Sequence, residues 1–243
     1  MINLLSRNIL HLIVLLFVLI SCQNKNEKIN EIKLTVNYIG EIEGGEIRLQ
    51  KVSSAYSIEL YKSENFNNNK IVFDISLLES TLFRLDILGK ESIDLILNNT
   101  DVNVNIDNSS SEFKYTIEGS YDTDVLKNVG KIISNYKYDI RQINEKFIKA
   151  SQEKNYKVVN ELRYDANILK IDFEKHLKNY LRTVNNSLAV IITSDYLDID
   201  NNISFWDSTL IKYRDNFSYN SYFKYFEKKV NKIKSVSFGS VAP

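Results

Sequence analysis

The hydrophobic period of this chain changes once, at Gly119-Ser120, and that change constrains the fold more than any single residue. From Glu31 to about Gly119 the apolar residues alternate. Ile32, Leu34, Val36 and Tyr38 share one face, with Lys33, Thr35 and Asn37 opposite. The period returns at Ile47-Leu49, Ile58-Leu60, Ile71-Phe73-Ile75-Leu77, Phe83-Leu85-Ile87, Ile93-Leu95-Leu97, Val102-Val104-Ile106 and Phe113-Tyr115-Ile117. Turn-forming breaks separate these runs: Gly44-Gly45, Asn67-Asn68-Asn69, Gly89-Lys90, Asn98-Asn99 and Asp107 to Ser111. Short strands with one apolar face each predict an antiparallel sandwich or barrel.

Beyond Ser120 the apolar residues advance by threes and fours. Val125, Val129, Ile132, Ile133, Tyr136, Ile140, Ile143, Phe147 and Ile148 form the stripe of an amphipathic helix, with Asp122 or Thr123 as its expected N-cap. A second helix is expected from Tyr156 to Arg182, on Val158, Leu162, Leu169, Phe173, Leu177, Tyr180 and Leu181. Shorter helices follow at Ser187 to Leu197, Ser204 to Tyr213 and Ser218 to about Ile233, with Ser204 and Ser218 as expected caps. The predicted fold class is α+β in sequential blocks: an N-terminal antiparallel β-sandwich-like domain over 31–119, then a helical domain over 120–236.

The first thirty residues have a different character. Arg7 and the amino terminus supply positive charge, and Ile9 to Ile20 is an apolar run broken only by His11. Such a run has the length of a secretory signal and falls short of the ~20 residues that span a bilayer. Leu19-Ile20-Ser21-Cys22 resembles a lipobox, which implies cleavage before Cys22, diacylglycerol on its sulfur and acylation of the new amino group. Cys22 is thus the expected lipid-attachment site. Residues 1–21 are read as the signal peptide and 22–30 as a polar tether. Acyl chains contribute about 0.8 kcal/mol per buried CH₂, so several together hold a protein at a membrane. The expected location is the cell envelope, on a bacterial membrane, facing the periplasm or the cell surface.

Composition removes several function classes. Lys and Arg balance Asp and Glu at 31 each, so no strongly basic surface points to nucleic acid. Cys22 is the only cysteine, so no disulfide staples the fold and stability must come from packing. The one proline, Pro243, divides nothing.

Three features together resemble a known family. A lipobox precedes a β-rich region closing in "YTIEGS" (Tyr115 to Ser120), and a long helical segment follows. "KNYLRTVNNSLAVIITSDYL" (Lys178 to Leu197) resembles the family's helix and the short serine-started helix after it. "SFGSVAP" (Ser237 to Pro243) resembles the approach to its catalytic module. The family is the TlpA-like and AhpC/TSA-like thioredoxin-fold lipoproteins. The resemblance implies that 237–243 begins a linker to a thioredoxin-like module carrying a Cys-x-x-Cys pair. No residue here matches a catalytic position of that module, so the resemblance assigns no catalytic residue and no cofactor.

Thiol-disulfide exchange needs a thiolate and a resolving thiol, and a thioether-linked Cys22 is neither. His176, the only histidine beyond the signal segment, sits between Phe173 and Leu177 and reads as a helix-surface residue. Without a second histidine or a thiolate, a zinc or facial-triad iron site has no ligand set. Asp195, Asp198 and Asp200, and the pair Asp122 and Asp124, are the carboxylate clusters available to a glycosidase or a cation site. Asp195 to Asn202 lacks the glycine and terminal glutamate of an EF-hand and reads as a solvated turn. No Gly-x-Ser-x-Gly elbow supports a serine triad, and Gly44-Gly45 and Gly119-Ser120 match no phosphate loop.

Phe205, Trp206, Phe217, Tyr219, Tyr222, Phe223, Tyr225 and Phe226 are spaced as core residues. From their nearness to the end of the sequence, several are also expected to line the surface where a thioredoxin-like module would dock, in which case Trp206→Ala would spare the fold but weaken binding to that module. The expected function is a membrane-anchored, non-catalytic accessory region of a thioredoxin-family thiol:disulfide oxidoreductase. Its expected partners are the membrane, through lipidated Cys22, and a thioredoxin-like module or that module's protein substrates. The rival expectation is a self-sufficient envelope lipoprotein that binds a peptide, glycan or small ligand.

Overall fold

The computed structural model describes residues 29–40, 45–65, 69–110 and 113–239. The signal segment, Cys22, most of the tether, and residues 240–243 lie outside these, as do Gly44, Asn67, Asn68 and Ser111 of the expected turns. Eight strands come first: β1 (Asn30–Ile39), β2 (Glu46–Val52), β3 (Ile58–Asn65), β4 (Lys70–Leu77), β5 (Thr81–Ile87), β6 (Glu91–Leu97), β7 (Val102–Asp107) and β8 (Lys114–Glu118). They form two four-stranded sheets, ordered β4-β1-β7-β8 and β3-β2-β5-β6. The α+β class and the sandwich-first order are as the period change indicates. One pairing departs from the antiparallel expectation: β1 runs parallel to β7, from Leu34 opposite Val102 to Ile39 opposite Asp107. Alternation cannot reveal this, because a strand buries the same face whichever way its neighbour runs.

The inward faces of the sheets meet in one apolar core that includes Leu34, Val36, Phe73, Phe83, Leu85, Leu95 and Val104. β3 is the exception. Its expected apolar pair, Ile58 and Leu60, is 47% and 61% exposed. A register shift between Leu49 and Gln50 pairs Leu49 with Lys62 but Gln50 with Leu60. Tyr61 is left over. It turns inward and packs edge-on to Phe83, with ring centroids 5.4 Å apart. A bulge of this kind reverses which parity of residue faces the core.

The corner between the two halves needs glycine. Gly119 has φ +97°, and a Cβ there would lie 2.1 Å from the Asp101 carbonyl oxygen. Helix α1 (Tyr121–Gln152) starts immediately afterwards. Its N-cap is Ser120 rather than Asp122 or Thr123: the Ser120 hydroxyl accepts from Thr123 N at 3.1 Å. The chain then forms α2 (Tyr156–Thr183), α3 (Ala189–Ile192), a 3₁₀ turn (Thr193–Tyr196), α4 (Ile203–Phe217) and α5 (Ser221–Gly239). The other two expected caps move as well. Asn202 precedes α4 and places Ser204 inside it, and Ser218 closes α4 rather than opening α5. The first two expectations lay two or three residues late, inside the first turn, and the third lay three residues before the first residue of α5.

The helices bury a second core that crosses into the sandwich. Val52, Leu82 and Ile96 on the outer side of the second sheet join Val125, Val129, Leu188, Trp206, Tyr222 and Phe223. Leu82 pairs with Ile96 across β5 and β6, so their side chains project together. The two halves are thus held by one continuous apolar contact. At the far end of α1 and α2 a small separate cluster, Ala150, Val159 and Leu162 with Phe147, closes the hairpin tip. Ile148, expected on the buried stripe, faces solvent there.

Candidate functional site

The seam between sandwich and helices is built from a few polar side chains on short turns. The Tyr222 hydroxyl enters where β2 and β5 part, accepting from Leu82 N at 3.2 Å and donating to the Val52 carbonyl. Burial pushes its pKa up to about 12, so it stays a donor across the physiological range. Glu79, on the β4–β5 turn, accepts from Ser221 N at 2.8 Å and from its hydroxyl at 2.6 Å. A carboxylate is thereby placed on the unsatisfied N–H groups that open α5. Asn220 completes the turn, donating to the Ser80 carbonyl at 2.9 Å while its own side-chain oxygen accepts from Tyr222 N at 3.0 Å.

Glu79, Ser80 and Asn220 of these contacts line an open groove of about 800 Å³ between the sandwich and the α4–α5 corner. Its apolar walls include Tyr61, Leu78, Phe83 and Phe217, and its polar rim includes Lys51 and Asn216. Leu78 is 62% exposed and Tyr219, also on the groove, 74%. Aromatic faces beside a limited set of polar groups are the usual lining of a small-ligand or side-chain site. On one flank the β4 edge is shielded. Ser76 N donates to the Tyr61 hydroxyl at 3.4 Å and the Lys62 ammonium bonds the Asp74 carbonyl, so β4 offers few free backbone groups.

The structure disperses the carboxylates that the sequence places near one another. Asp122 is buried and accepts from the Ser187 hydroxyl at 2.5 Å, Leu188 N at 2.9 Å and Asn98 at 3.3 Å. It ties the start of α1 to the loop before α3, whereas Asp124 is exposed. Asp198 accepts from Asp200 N and from Asn201, and these three are exposed, but Leu197, Ile199 and Asn202 within the expected solvated turn of Asp195 to Asn202 are buried. Asp195 stands apart from that turn. It pairs with Lys229 at 2.5 Å, beside the Tyr56 hydroxyl at the tip of the β2–β3 turn. Burial pushes the Asp195 carboxyl up, yet the hydrogen bonds from Lys229 and Tyr56 outweigh it and hold the group below its ordinary range. Burial, followed by the neighbouring Asp195, raises the Tyr56 phenol well above its usual value.

His176 is exposed on α2. Trp206, Tyr222, Phe223 and Phe226 are buried in the core, Phe205 and Phe217 are half-buried, and Tyr219 and Tyr225 are exposed, so only part of the aromatic run is core. This corrects the docking expectation for Trp206, whose ring offers no surface and packs edge-on to Phe226 at 5.2 Å. Among the described residues no group of three or more His, Cys, Asp or Glu is arranged to hold a metal ion, and no helix is long and apolar enough to cross a membrane. The residues that sequence reasoning missed are Tyr61, Glu79 and Asn220. Only the Asn220-Ser221 pair carries a local signal, as a cap-forming dipeptide just before an aromatic helix. No protein family, curated protein or solved structure matches the chain.

Proposed function

We propose that this chain is a membrane-anchored envelope lipoprotein and acts as the non-catalytic accessory region of a thioredoxin-family thiol:disulfide oxidoreductase. In this reading Cys22 carries the lipid. The sandwich and helices hold a thioredoxin-type module near the membrane or present its protein substrates. The observation that carries the reading is the order of parts. A lipobox-like segment leads to a β-sandwich that turns at Gly119 into a helical body whose core takes in Val52, Leu82 and Ile96 of one sheet. That apolar contact suits a spacer that fixes orientation, because relative motion of the halves would expose Val52, Leu82 and Ile96. The chemistry of exchange must lie elsewhere, since Cys22 is the sequence's only thiol and exchange requires two.

The full chain, expressed in a bacterial host, tests both parts. Fatty-acid labelling should be lost in Cys22→Ser, with the protein leaving the membrane fraction; labelling that survives the substitution overturns the anchor. The purified protein should leave insulin disulfides unreduced, and robust turnover overturns the accessory role. A second reading, a self-sufficient binding lipoprotein, is favoured by the open aromatic groove between Tyr61 and Phe217. Saturable quenching or enhancement of tyrosine fluorescence by a glycan or small-molecule panel, abolished in Tyr61→Ala, would select it.

A further inference from the structure

Strand β6 is the outer strand of its sheet, so one row of its backbone groups has no strand partner. Ile96 shows which residues make up that row. Its N–H donates to Thr123 Oγ1 at 2.9 Å and its carbonyl accepts from the Ser120 hydroxyl at 2.6 Å. Both groups of one strand residue point to the same edge, and the direction alternates along the strand. Asp94 and Ser92 therefore present their N–H and C=O outward as well. The first turn of α1 covers the edge only at Ile96. Farther along, helix and strand separate around a cavity of about 520 Å³ lined by Ser92, Asp94, Tyr115, Lys127, Gly130 and Ser134.

The helix wall is built to leave room. Thr123, Lys127, Gly130 and Ser134 recur at helical spacing on the side of α1 that faces the cavity. Gly130 has no packing reason for lacking a side chain, because a Cβ built there meets nothing within 4 Å. A glycine in a helix interior carries a conformational cost that alanine would remove without a clash. Its bare backbone keeps the middle of the slot open. The charges around the slot are unequal. Asp94 is neutralised by Arg84, at 2.8 and 3.1 Å. Lys127 lies over the Tyr115 ring at 5.2 Å, and neither it nor Lys131 forms an ion pair with a described carboxylate.

We propose that the β6–α1 slot binds an extended, acidic polypeptide segment of another protein, which adds as a strand to β6 at Ser92 and Asp94 beneath Lys127 and Lys131. Backbone pairing supplies the affinity in such strand addition, and the side chains that face pockets or charges supply the selectivity. From Ser92 to Asp94, short of the Ile96 that α1 covers, the open edge spans about 7 Å, room for two or three residues of an added strand to pair directly. The inference depends on neither the lipid anchor nor a redox partner.

The test uses the full chain and the blocked peptide acetyl-Thr-Glu-Val-Glu-Val-Thr-amide, with binding followed by titration and by amide hydrogen exchange. Saturable binding is expected, with exchange at Ser92 and Asp94 slowed about tenfold or more. Three changes should each weaken binding by about tenfold or more: lysine for glutamate in the peptide, N-methylation of its alternate amides, and Gly130→Leu in the protein. Gly130→Leu should leave the thermal midpoint unlowered, which separates a blocked slot from a failed fold. Binding unaffected by N-methylation or by Gly130→Leu overturns the proposal, as does no saturable binding at ~1 mM peptide. Lys127→Glu combined with Lys131→Glu should shift preference to the lysine peptide; unchanged preference removes the acidic class.

Discussion

Trp206 shows how much a single side chain contributes here. It has no exposed surface, and its indole N–H meets no acceptor among the described residues. Burying an unmet donor costs about 1–3 kcal/mol, so the site holds a large favourable packing term against a real penalty. Trp206→Ala removes the packing and should cost about 3–5 kcal/mol, read as a lowered denaturant midpoint. Trp206→Phe removes the unmet donor along with part of the ring, and its loss should be well under half that of alanine. Equal losses would mean that the indole N–H carries no penalty. The aromatic character of this helix could be read from its spacing, but the orphaned donor could not, since it depends on what the segments packed around the ring leave beside it.

Elements settle where the chain turns and which edges stay open. Gly130 sits within α1 with open space where its Cβ would be. Gly130→Ala should therefore stabilise the protein by about 0.5–1 kcal/mol through helix propensity and the unfolded chain. A rise of roughly 2–4 °C in thermal midpoint per kcal/mol is the measurement; a fall would show a contact that the backbone hides. Strand identity was legible because alternation writes the buried face directly into residues such as Ile71, Phe73, Ile75 and Leu77. β3 was legible only as a strand. Its face was misread because the bulge after Leu49 is a property of the β2–β3 pair and leaves no mark in Ile58 to Asn65 alone. Ser204 and Ser218 failed as caps for a related reason: capping depends on where the preceding loop leaves the helix axis.

At the scale of the molecule, three phenols lock the halves together or close the helical core. Tyr222 bridges β2 and β5, Tyr56 reaches the Ile192 carbonyl at 3.5 Å, and Tyr213 donates to the Val184 carbonyl at 2.9 Å. Burial raises all three, Tyr213 and Tyr222 to about 12. A raised folded value means that the native state holds the proton more tightly than the unfolded chain, whose tyrosines titrate near ~10. Their contribution is complete below about pH 10 and is lost as pH rises toward 12. Ultraviolet titration should show a late group of phenols ionising together with unfolding, and Tyr222→Phe should reduce that coupling. Asp195 acts in the opposite range. Its lowered value contributes stability that is present above the unfolded carboxylate value of ~3.9 and lost as acid protonates it. Asp195→Asn should flatten the acid limb of a stability profile.

The amino-acid order alone was enough for the α+β class, the boundary at Gly119-Ser120, the existence of every strand and the two long helices. Each of these follows from a periodicity or a steric limit confined to a few neighbouring residues. The candidate sites followed from assembly. The groove needs Tyr61 from a bulged edge strand beside Phe217 from a helix more than a hundred residues later, and the β6 slot needs α1 to cover Ile96 but not Ser92. Such features arise where segments distant in sequence approach each other, and no local pattern encodes the gap that remains between them.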